Sequence, residues 1–475
     1  MLSENEKIKH LYNRATFGVP ITGLPFSNSY QEVLNHILEK KNLKTLTVIS
    51  QEEVNEIKEK AKSEGKKSQV DARKMLKKNI ADLSNMWFQE IIKSDAQLQE
   101  KMAVFWHGHF ACRAANPYFD QQYLDIIRKN ALGNFKTLLF EVSKTPSMLQ
   151  FLNNQQNKKD HPNENFAREV MELFTLGRGN YTEEDIKESA RAFTGYSYDK
   201  IGEFKFRKSI HDFGSKTFLG KTGNFTGDDI LNIILEKREC AYFITKKIYR
   251  FFVNDENIDE SIIKNLGDEF YQSGYDIKTL MHSIFSSDWF YDEKNVGNKI
   301  KSPVELLASM FRIIPTTFEN SIGLLYIQRV LGQVLLNPPN VAGWKGGRNW
   351  IDSSSLLFRM RLPQIIFYDA DLDITPKNEI PEMNSYDFNA LKMQDAFIKK
   401  LAQKKLAANS NWTNVLKQFS YCPDVWNDVS NKLLSSRVDA NTAKIVKTNA
   451  DTSTKENEIK SVVINMMSLP EFQLC

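Results

Sequence analysis

The sequence predicts a mainly α protein, a multi-helical bundle-like globule with one small β-hairpin near residues 195–208 and long ordered loops. Apolar residues recur at three- and four-residue spacing along most of the 475-residue chain, which is the period of amphipathic helices. The period changes to two around residues 196–206, and a stretch rich in proline and glycine at 337–350 interrupts the helical pattern. With 41% apolar and 26% charged residues, the composition is that of an ordinary folded protein.

Residues 163–177 form the most informative predicted helix, which runs from an N-capping asparagine to a terminating glycine. Its apolar stripe is formed by Phe166, Val170, Leu173 and Phe174. Glu169 and Glu172 are three residues apart and therefore share a face, with Arg168 beside them. Two neighbouring carboxylates can hold a divalent cation, divide acid and base roles, or form a salt-bridge network. The sequence leaves these three interpretations open.

The predicted helix that ends near residue 110 closes in a cluster of aromatic and histidine side chains. Neutral imidazole is a common ligand of transition metals, so His107 and His109 are candidate metal ligands. Residues two apart in a helix point in different directions, so the pair shares a face only if the helix ends or unwinds at Gly108. The alternative is that one ring is simply hydrogen-bonded in the core.

The alternating pattern at residues 196–206 predicts the hairpin, and a glycine-punctuated loop follows at 210–220. In this loop His211 and Asp212 can form an acid–base pair, with Lys216 placed to hold an anion. The alternative is a turn in which Asp212 bonds to local backbone groups and His211 packs against its neighbours.

Two prolines and three glycines exclude a helix at residues 337–350 and predict a long ordered loop, a type of segment that is often functional. A sugar ring could stack on Trp344 or Trp350, and Lys345 and Arg348 could bind an anionic group. The alternative is that the two tryptophans anchor the loop on the core. The glycine–lysine order of a phosphate-binding P-loop is absent.

We expect residues 1–365 to form a helical core that carries all these motifs, residues 366–387 to be a linker, and residues 388–475 to form a C-terminal helical segment that packs on the core. A formal net charge of +4 is nearly balanced for this length, so nucleic acid is not an expected partner. No run of about 18 apolar residues predicts a membrane span. The absence of an export signal and of paired cysteine motifs favours a cytoplasmic, reduced compartment.

Seven segments together resemble the DUF1800 family of bacterial proteins, and the resemblance extends to residues 470–473 near the end of the chain. The matching segments are residues 10–18, 105–110, 162–177, 190–195, 211–220, 301–305 and 338–351. This chain has Tyr196 where the family pattern usually has Trp, and it lacks the export signal that many members carry. The resemblance therefore implies that a periplasmic or exported location is an alternative. It also implies a protein partner from a neighbouring sulfatase-like family, but it names no reaction.

The gathering of His, Glu, Asp and Arg into glycine-bounded motifs favours an enzyme. We expect a metal-dependent hydrolase that acts on a small polar or anionic substrate, such as a modified saccharide or another glycan. The predicted ligands of a divalent ion (Zn, Fe or Mn) are His107, His109, His211 and Glu169. The predicted catalytic residues are Glu169, Glu172, His211 and Asp212. The predicted substrate-binding residues are Arg168, Lys216, Trp344, Lys345 and Arg348. The alternative is a non-enzymatic binding or assembly protein whose motifs are structural polar networks.

Overall fold

A computed structural model describes residues 2–22, 29–113, 116–318, 321–368 and 408–475, and these residues confirm the mainly α fold class. The helices that precede the first strand are α1 (Glu4–Ala15), α2 (Tyr30–Ile37), α3 (Gln51–Ser63), α4 (Lys66–Lys93), α5 (Gln97–His109), α6 (Pro117–Asn130), α7 (Phe135–Ser143), α8 (Pro146–Phe151), α9 (Asn165–Glu169) and α10 (Glu183–Ala192). A π-helix, Val170–Thr175, continues directly from α9.

The second half of the chain is also built from short and medium helices. They are α11 (Gly227–Leu235), α12 (Arg238–Phe252), α13 (Glu260–Gln272), α14 (Ile277–Ser286), α15 (Pro303–Ile313), α16 (Ser321–Leu331), α17 (Ser353–Phe367), α18 (Thr413–Phe419), α19 (Val425–Leu433), α20 (Ala440–Thr448) and α21 (Lys455–Met467). Single 3₁₀ turns lie at Asn154–Gln156, Lys208–Ile210, Asp288–Tyr291, Glu293–Asn295, Gly347–Trp350 and Pro470–Gln473.

Capping boxes begin several of these helices at the residues that the sequence indicates. At the start of α10, the Thr182 hydroxyl accepts from the Asp185 backbone N–H at 3.1 Å, and the Asp185 carboxylate accepts from the Thr182 backbone N–H at 2.9 Å. Two of the backbone N–H groups that a helix start leaves unpaired are satisfied in this way. The same reciprocal pair begins α15, where Ser302 precedes Glu305.

The predicted hairpin is present, with β1 (Tyr196–Tyr198) pairing antiparallel to β2 (Phe204–Phe206). The sequence predicted one β-hairpin, but the described residues contain two further two-stranded sheets. β3 (Lys216–Phe218), inside the segment predicted to be a loop, pairs with β4 (Lys221–Gly223), which follows that segment. β5 (Thr316–Phe318) pairs with β6 (Ala408–Ser410), a contact between distant parts of the chain that local periodicity does not reveal.

Helix α5 lies in the centre of the core. Every residue of α5 except Gly108 is buried, and the helix packs against α1, α4 and α6. Its buried charges are paired: the Glu100 carboxylate accepts from Arg128 Nη2 at 2.6 Å and from Trp87 Nε1 at 3.0 Å. A helix that is buried on all sides must satisfy its polar groups internally, and this arrangement also holds α4 and α6 against α5.

The described part of the C-terminal segment contacts the core through β6 and through α21, which packs on α17. The predicted boundary at residue 365 lies inside α17, because the helix continues through Pro363 to Phe367. Of the predicted linker, residues 369–387 lie outside the described residues. No helix among the described residues is both long enough and apolar enough to cross a bilayer.

Candidate functional site

The predicted helix over residues 163–177 is in fact two different helices. α9 ends at Glu169, and the π-helix ends at Thr175. Just after it, the backbone N–H groups of residues 176 and 177 both donate to the Met171 carbonyl, at 2.8 and 3.0 Å. Gly177 has a φ of +74°, and a Cβ there would lie 2.8 Å from the Phe243 ring, so this position requires glycine. Wide turns of this kind are frequent at functional sites.

Glu172, on the π-helix, is held by two side chains that follow the helix. Its carboxylate accepts from Arg178 Nε at 2.6 Å and from the Tyr181 hydroxyl at 3.1 Å. Burial and the charge of Glu172 raise the pKa of Tyr181 to about 12, so Tyr181 remains a hydrogen-bond donor at neutral pH. The carboxylate of Glu172 is therefore fixed in position.

Glu169 lies beside Glu172 but has a different environment. It is half-buried, and its carboxylate makes no hydrogen bond or ion pair with any of the described residues. Burial and the nearby charge of Glu172 raise the pKa of Glu169, while Arg168 and Arg178 oppose this shift. Two adjacent carboxylates thus differ, since one is neutralised by partners and the other is not.

Arg168, predicted to bind substrate, forms ion pairs within the protein. Its Nη1 and Nη2 atoms donate to the two carboxylate oxygens of Glu183 at 3.0 and 2.8 Å, and Nη2 also donates to Glu164 at 3.3 Å. These bonds tie α9 to the start of α10. By contrast, Arg178 is 85% exposed and lies at the rim of the carboxylate pair.

His107 is enclosed by aromatic rings. Its ring centroid lies 5.7 Å from that of Trp344, nearly parallel, and 5.4 Å from that of Trp87. Neither ring nitrogen has a hydrogen-bond partner among the described residues, and burial lowers the pKa of His107 to about 3. The imidazole is therefore neutral and packs as an aromatic side chain.

Because α5 is helical through residue 109, His107 and His109 lie on different sides of it. His109 Nε2 is 3.0 Å from the Phe174 carbonyl, and its Nδ1 is 3.1 Å from Lys247 Nζ, which also donates to the Leu173 carbonyl at 2.9 Å. An ammonium group only donates, so Nδ1 accepts and Nε2 carries the proton. His109 and Lys247 therefore connect α5 and α12 to two carbonyl groups of the π-helix.

Lys247 was not predicted from the sequence. Burial lowers its pKa to about 8, and no carboxylate pairs with it in the described residues. In the sequence, Lys247 is a basic residue close to apolar positions of α12. That pattern alone does not distinguish a buried lysine from a surface lysine. Arg178 and Tyr181 were also missed, since they follow the predicted helix in a glycine-containing turn.

The loop that carries His211 and Asp212 is fastened to α10. Asp212 forms a two-pronged ion pair with Arg191, at 2.7 Å from Nε and 3.3 Å from Nη2, and Arg191 holds the pKa of Asp212 below its usual range. Lys216 Nζ donates to the backbone carbonyls of Asp212 and Gly214 at 2.6 and 2.9 Å. Asp212 and Lys216 therefore stabilise the loop itself.

His211 is buried in the same loop. Its Nδ1 donates to the Thr194 carbonyl at 2.8 Å, which leaves the lone pair on Nε2, and Nε2 has no partner among the described residues. Rings of Phe206 and Phe213 stand edge-on to the imidazole, with centroids 4.9 and 4.7 Å away. Burial is the main cause that lowers the pKa of His211.

The 337–350 loop packs on the end of α5. Gly343 has a φ of +73°, and a Cβ there would lie 2.1 Å from the Gly108 carbonyl oxygen, so the two backbones are in direct contact. Trp344 stacks on His107 beside this contact. Arg348 forms a two-pronged ion pair with Glu256, whereas Lys345 is exposed.

The predicted site residues thus occupy separate neighbourhoods. Glu169, Glu172 and Arg168 lie together on α9 and the π-helix, which His109 contacts through a backbone carbonyl. His107 lies with Trp344, while the His211 loop lies on α10. Within the described ranges, no group of three or more His, Cys, Asp or Glu side chains is arranged to hold a metal ion.

A cavity of about 740 Å³ lies away from these neighbourhoods. It is bounded by residues of α1, α5 and α15, including Tyr12, Gln97 and Arg312. None of the described residues that line it belongs to the site predicted from the sequence. Glu169 and Glu172, both of intermediate exposure, do not line this cavity.

The chain matches a protein-family model. The family model described as "Protein of unknown function (DUF1800)" matches residues 10–474, which is nearly the whole chain. No curated protein matches the chain, and no solved structure matches it. The chain therefore belongs to the DUF1800 family.

Proposed function

We propose that the protein is a hydrolytic enzyme that uses the Glu169–Glu172 carboxylate pair for acid–base chemistry. The observation that supports this proposal is the contrast between the two environments: Glu172 is fixed by Arg178 and Tyr181, whereas Glu169 is half-buried and unpaired in the described residues. Enzymes that assign acid and base roles to two similar carboxyl groups do so by giving the two groups different environments.

In this proposal, Glu169 is the proton donor. Burial and the Glu172 charge favour its neutral form, and a neutral carboxylic acid can protonate a leaving-group oxygen. Glu172, as a carboxylate held in place, stabilises developing positive charge or orients a water molecule. Arg178, largely exposed at the rim, is placed to bind an anionic substituent. The substrate class that fits these groups is a polar or anionic molecule such as a modified saccharide.

A divalent metal ion (Zn, Fe or Mn) is an alternative way for Glu169 to act. It would use imidazole ligands, but the His109 lone pair accepts from Lys247, and the His107 ring stacks on Trp344 and lies tilted against Trp87. Both rings would have to move before either could bind a metal beside Glu169. Proton transfer by the carboxylates requires no such rearrangement, so we favour it.

A second candidate function is binding or assembly without catalysis, which would include a protein partner of the sulfatase-like type. The observation that favours it is that many motif side chains are paired within the protein. Asp212 bonds to Arg191, Lys216 to two carbonyls, and the exposed Arg348 to Glu256. Such networks stabilise an architecture and do not need a substrate.

The test is hydrolysis of a panel of disaccharides and methyl glycosides that includes sulfated and uronic acid sugars, because their poor leaving groups require protonation by a general acid. General acid catalysis contributes about 10²–10⁴-fold, so Glu169→Gln should reduce kcat by at least about 100-fold on any substrate that the wild type cleaves. Glu184→Gln is the matched control, since Glu184 is an exposed residue of α10 that pairs with Lys187.

Full activity of the Glu169→Gln variant would overturn the carboxylate mechanism. Absence of turnover on the panel, together with glycan or protein binding that Glu169→Gln leaves unchanged, would favour the binding function.

A further inference from the structure

Five cationic side chains are buried together in a part of the protein that the carboxylate pair does not use. They are Arg14, Lys101, Lys299, Lys301 and Arg359, and each is at most 7% exposed. One buried carboxylate, Glu305, interacts electrostatically with all five. We call this group the buried cationic cluster. It includes residues from two of the family segments, 10–18 and 301–305.

Part of the cluster is satisfied by the protein. Lys101 Nζ forms an ion pair with Glu305 at 2.8 Å and donates to the Thr16 carbonyl at 2.8 Å, near the end of α1. Lys301 Nζ donates to the Phe472 carbonyl at 2.8 Å. The cluster therefore joins α1, α5, α15 and the 3₁₀ turn at Pro470–Gln473.

Other donors of the same cluster have no acceptor. Arg14 uses Nη2 for Asn295 and Asn298, but its Nε and Nη1 atoms are buried without a partner in the described residues. Nη1 of Arg359 is unpaired in the same way. Lys299 Nζ has no hydrogen-bond acceptor there either, and it lies 5.7 Å from the centroid of the Phe251 ring. Buried donors without acceptors are rare and indicate an absent water molecule or ion.

The charges in this region do not balance. The carboxylate side chains that attract Arg14 and Lys299 are Glu305 and the half-buried Asp255, so two carboxylate side chains face the five cationic ones. Burying a cation without a compensating charge is unfavourable. A bound dianion would reduce the excess and would accept from the unpaired N–H groups.

We propose that the buried cationic cluster binds a tetrahedral oxyanion of the phosphate or sulfate class through Arg14, Lys299 and Arg359. Arg14 and Lys299 interact electrostatically, and Arg359 Nη2 donates to the Lys301 carbonyl, so the three side chains lie in one buried region. Guanidinium and ammonium donors favour an oxyanion because each of its oxygens accepts charge-assisted hydrogen bonds. The site is separate from the carboxylate pair. Its ligand would stabilise the contact between the first helix and the end of the described chain.

Anion binding is tested without any enzyme assay, so its outcome is independent of the proposed function. Purified full-length protein, dialysed into chloride buffer, is titrated with inorganic phosphate or sulfate at constant ionic strength, and thermal unfolding is followed. Ion chromatography of the acid-denatured protein then measures any anion that remained bound through dialysis. The variant is Lys299→Met, which removes the charge and keeps the apolar stem. Lys67→Met, at an exposed position of α4, is the matched control.

We expect either about one oxyanion released per chain or a saturable rise in unfolding temperature of about 2 °C or more. Lys299→Met should weaken the apparent affinity at least about tenfold, as expected for loss of a charged hydrogen bond, while Lys67→Met should not. Absence of both a released anion and a saturable response in the wild type would overturn the proposal. Equal responses of Lys299→Met and wild type would overturn it as well.

Discussion

Glu172 lies one turn along the helix from Glu169, and together with burial its charge raises the pKa of Glu169. Arg178 and Tyr181 donate hydrogen bonds to the Glu172 carboxylate but not to that of Glu169. The two residues therefore form an asymmetric pair although they are chemically identical. The chain changes from α-helix to π-helix immediately after Glu169.

The first prediction concerns stability against pH. The folded-state pKa of Glu169 is above its unfolded value, so the folded state favours the protonated carboxyl. Below the unfolded pKa, wild type and Glu169→Gln should have similar free energies of unfolding. As pH rises through the folded pKa, the wild type should lose stability relative to the variant. Urea unfolding at pH 4 and pH 8 measures this difference. A wild type whose free energy of unfolding rises relative to that of the variant as pH rises would contradict the assigned pKa direction.

The second prediction separates Asp212 from the chemistry. Asp212→Asn should destabilise the protein by about 1–3 kcal/mol, because the Arg191 guanidinium loses one of its two carboxylate partners, the other being Glu188. Arg191 lowers the pKa of Asp212, so the stabilisation should be present above the unfolded pKa of Asp212 and should be lost as pH falls through the folded pKa. Denaturant unfolding of both proteins across this pH range measures the effect. An Asp212→Asn variant of unchanged stability but lower turnover would instead support the catalytic role predicted from the sequence.

The third prediction uses two glycines with nearly the same φ angle. Gly343 and Gly346 have φ values of +73° and +74°, but a Cβ at 343 would collide with the Gly108 carbonyl whereas a Cβ at 346 would meet nothing within 4 Å. With a ψ of −176°, Gly346 lies in a region that essentially only glycine occupies, so Gly346→Ala should cost about 1–3 kcal/mol from backbone strain alone. Gly343→Ala should cost clearly more and should alter the fluorescence of Trp344. Equal losses of stability would show that the loop does not contact α5 as described.

The fourth prediction addresses the metal site expected from the sequence. If the carboxylate mechanism is correct, any hydrolytic activity should survive extended treatment with a chelator. Elemental mass spectrometry of wild type, His107→Ala and Glu169→Ala gives the complementary measurement. Stoichiometric Zn, Fe or Mn that is lost in both variants would show that the imidazoles and Glu169 converge on a metal, and the carboxylate mechanism would need revision.

Local patterns predicted those parts of the fold that depend on neighbours in sequence. The alternation at 196–206 predicted β1 and β2, and the capping residue Thr182 predicted the start of α10. The π-helix was not predictable in this way, because its end depends on Gly177 packing against Phe243 from a different helix. An ordinary α-helix accounts for the same residues equally well when only the 163–177 segment is considered.

The site was harder to predict because its partners are distant in sequence. His107 and His109 were identified as notable, but their surroundings, Trp344 and Lys247, come from elements more than a hundred residues away. The same is true of Lys101 and Glu305 in the buried cationic cluster. Residue type and spacing revealed which side chains matter to the fold, whereas their pairing required the tertiary structure.

The central claim is that Glu172 keeps Glu169 available as an acid, and the most direct measurement is an NMR titration of selectively labelled glutamate carboxyl groups. We expect the pKa of Glu169 to be above that of an ordinary glutamate in the wild type and to fall in Glu172→Gln, with no change in the Glu184→Gln control. An ordinary pKa of Glu169 in the wild type, or a value that Glu172→Gln leaves unchanged, would contradict this account of the carboxylate pair.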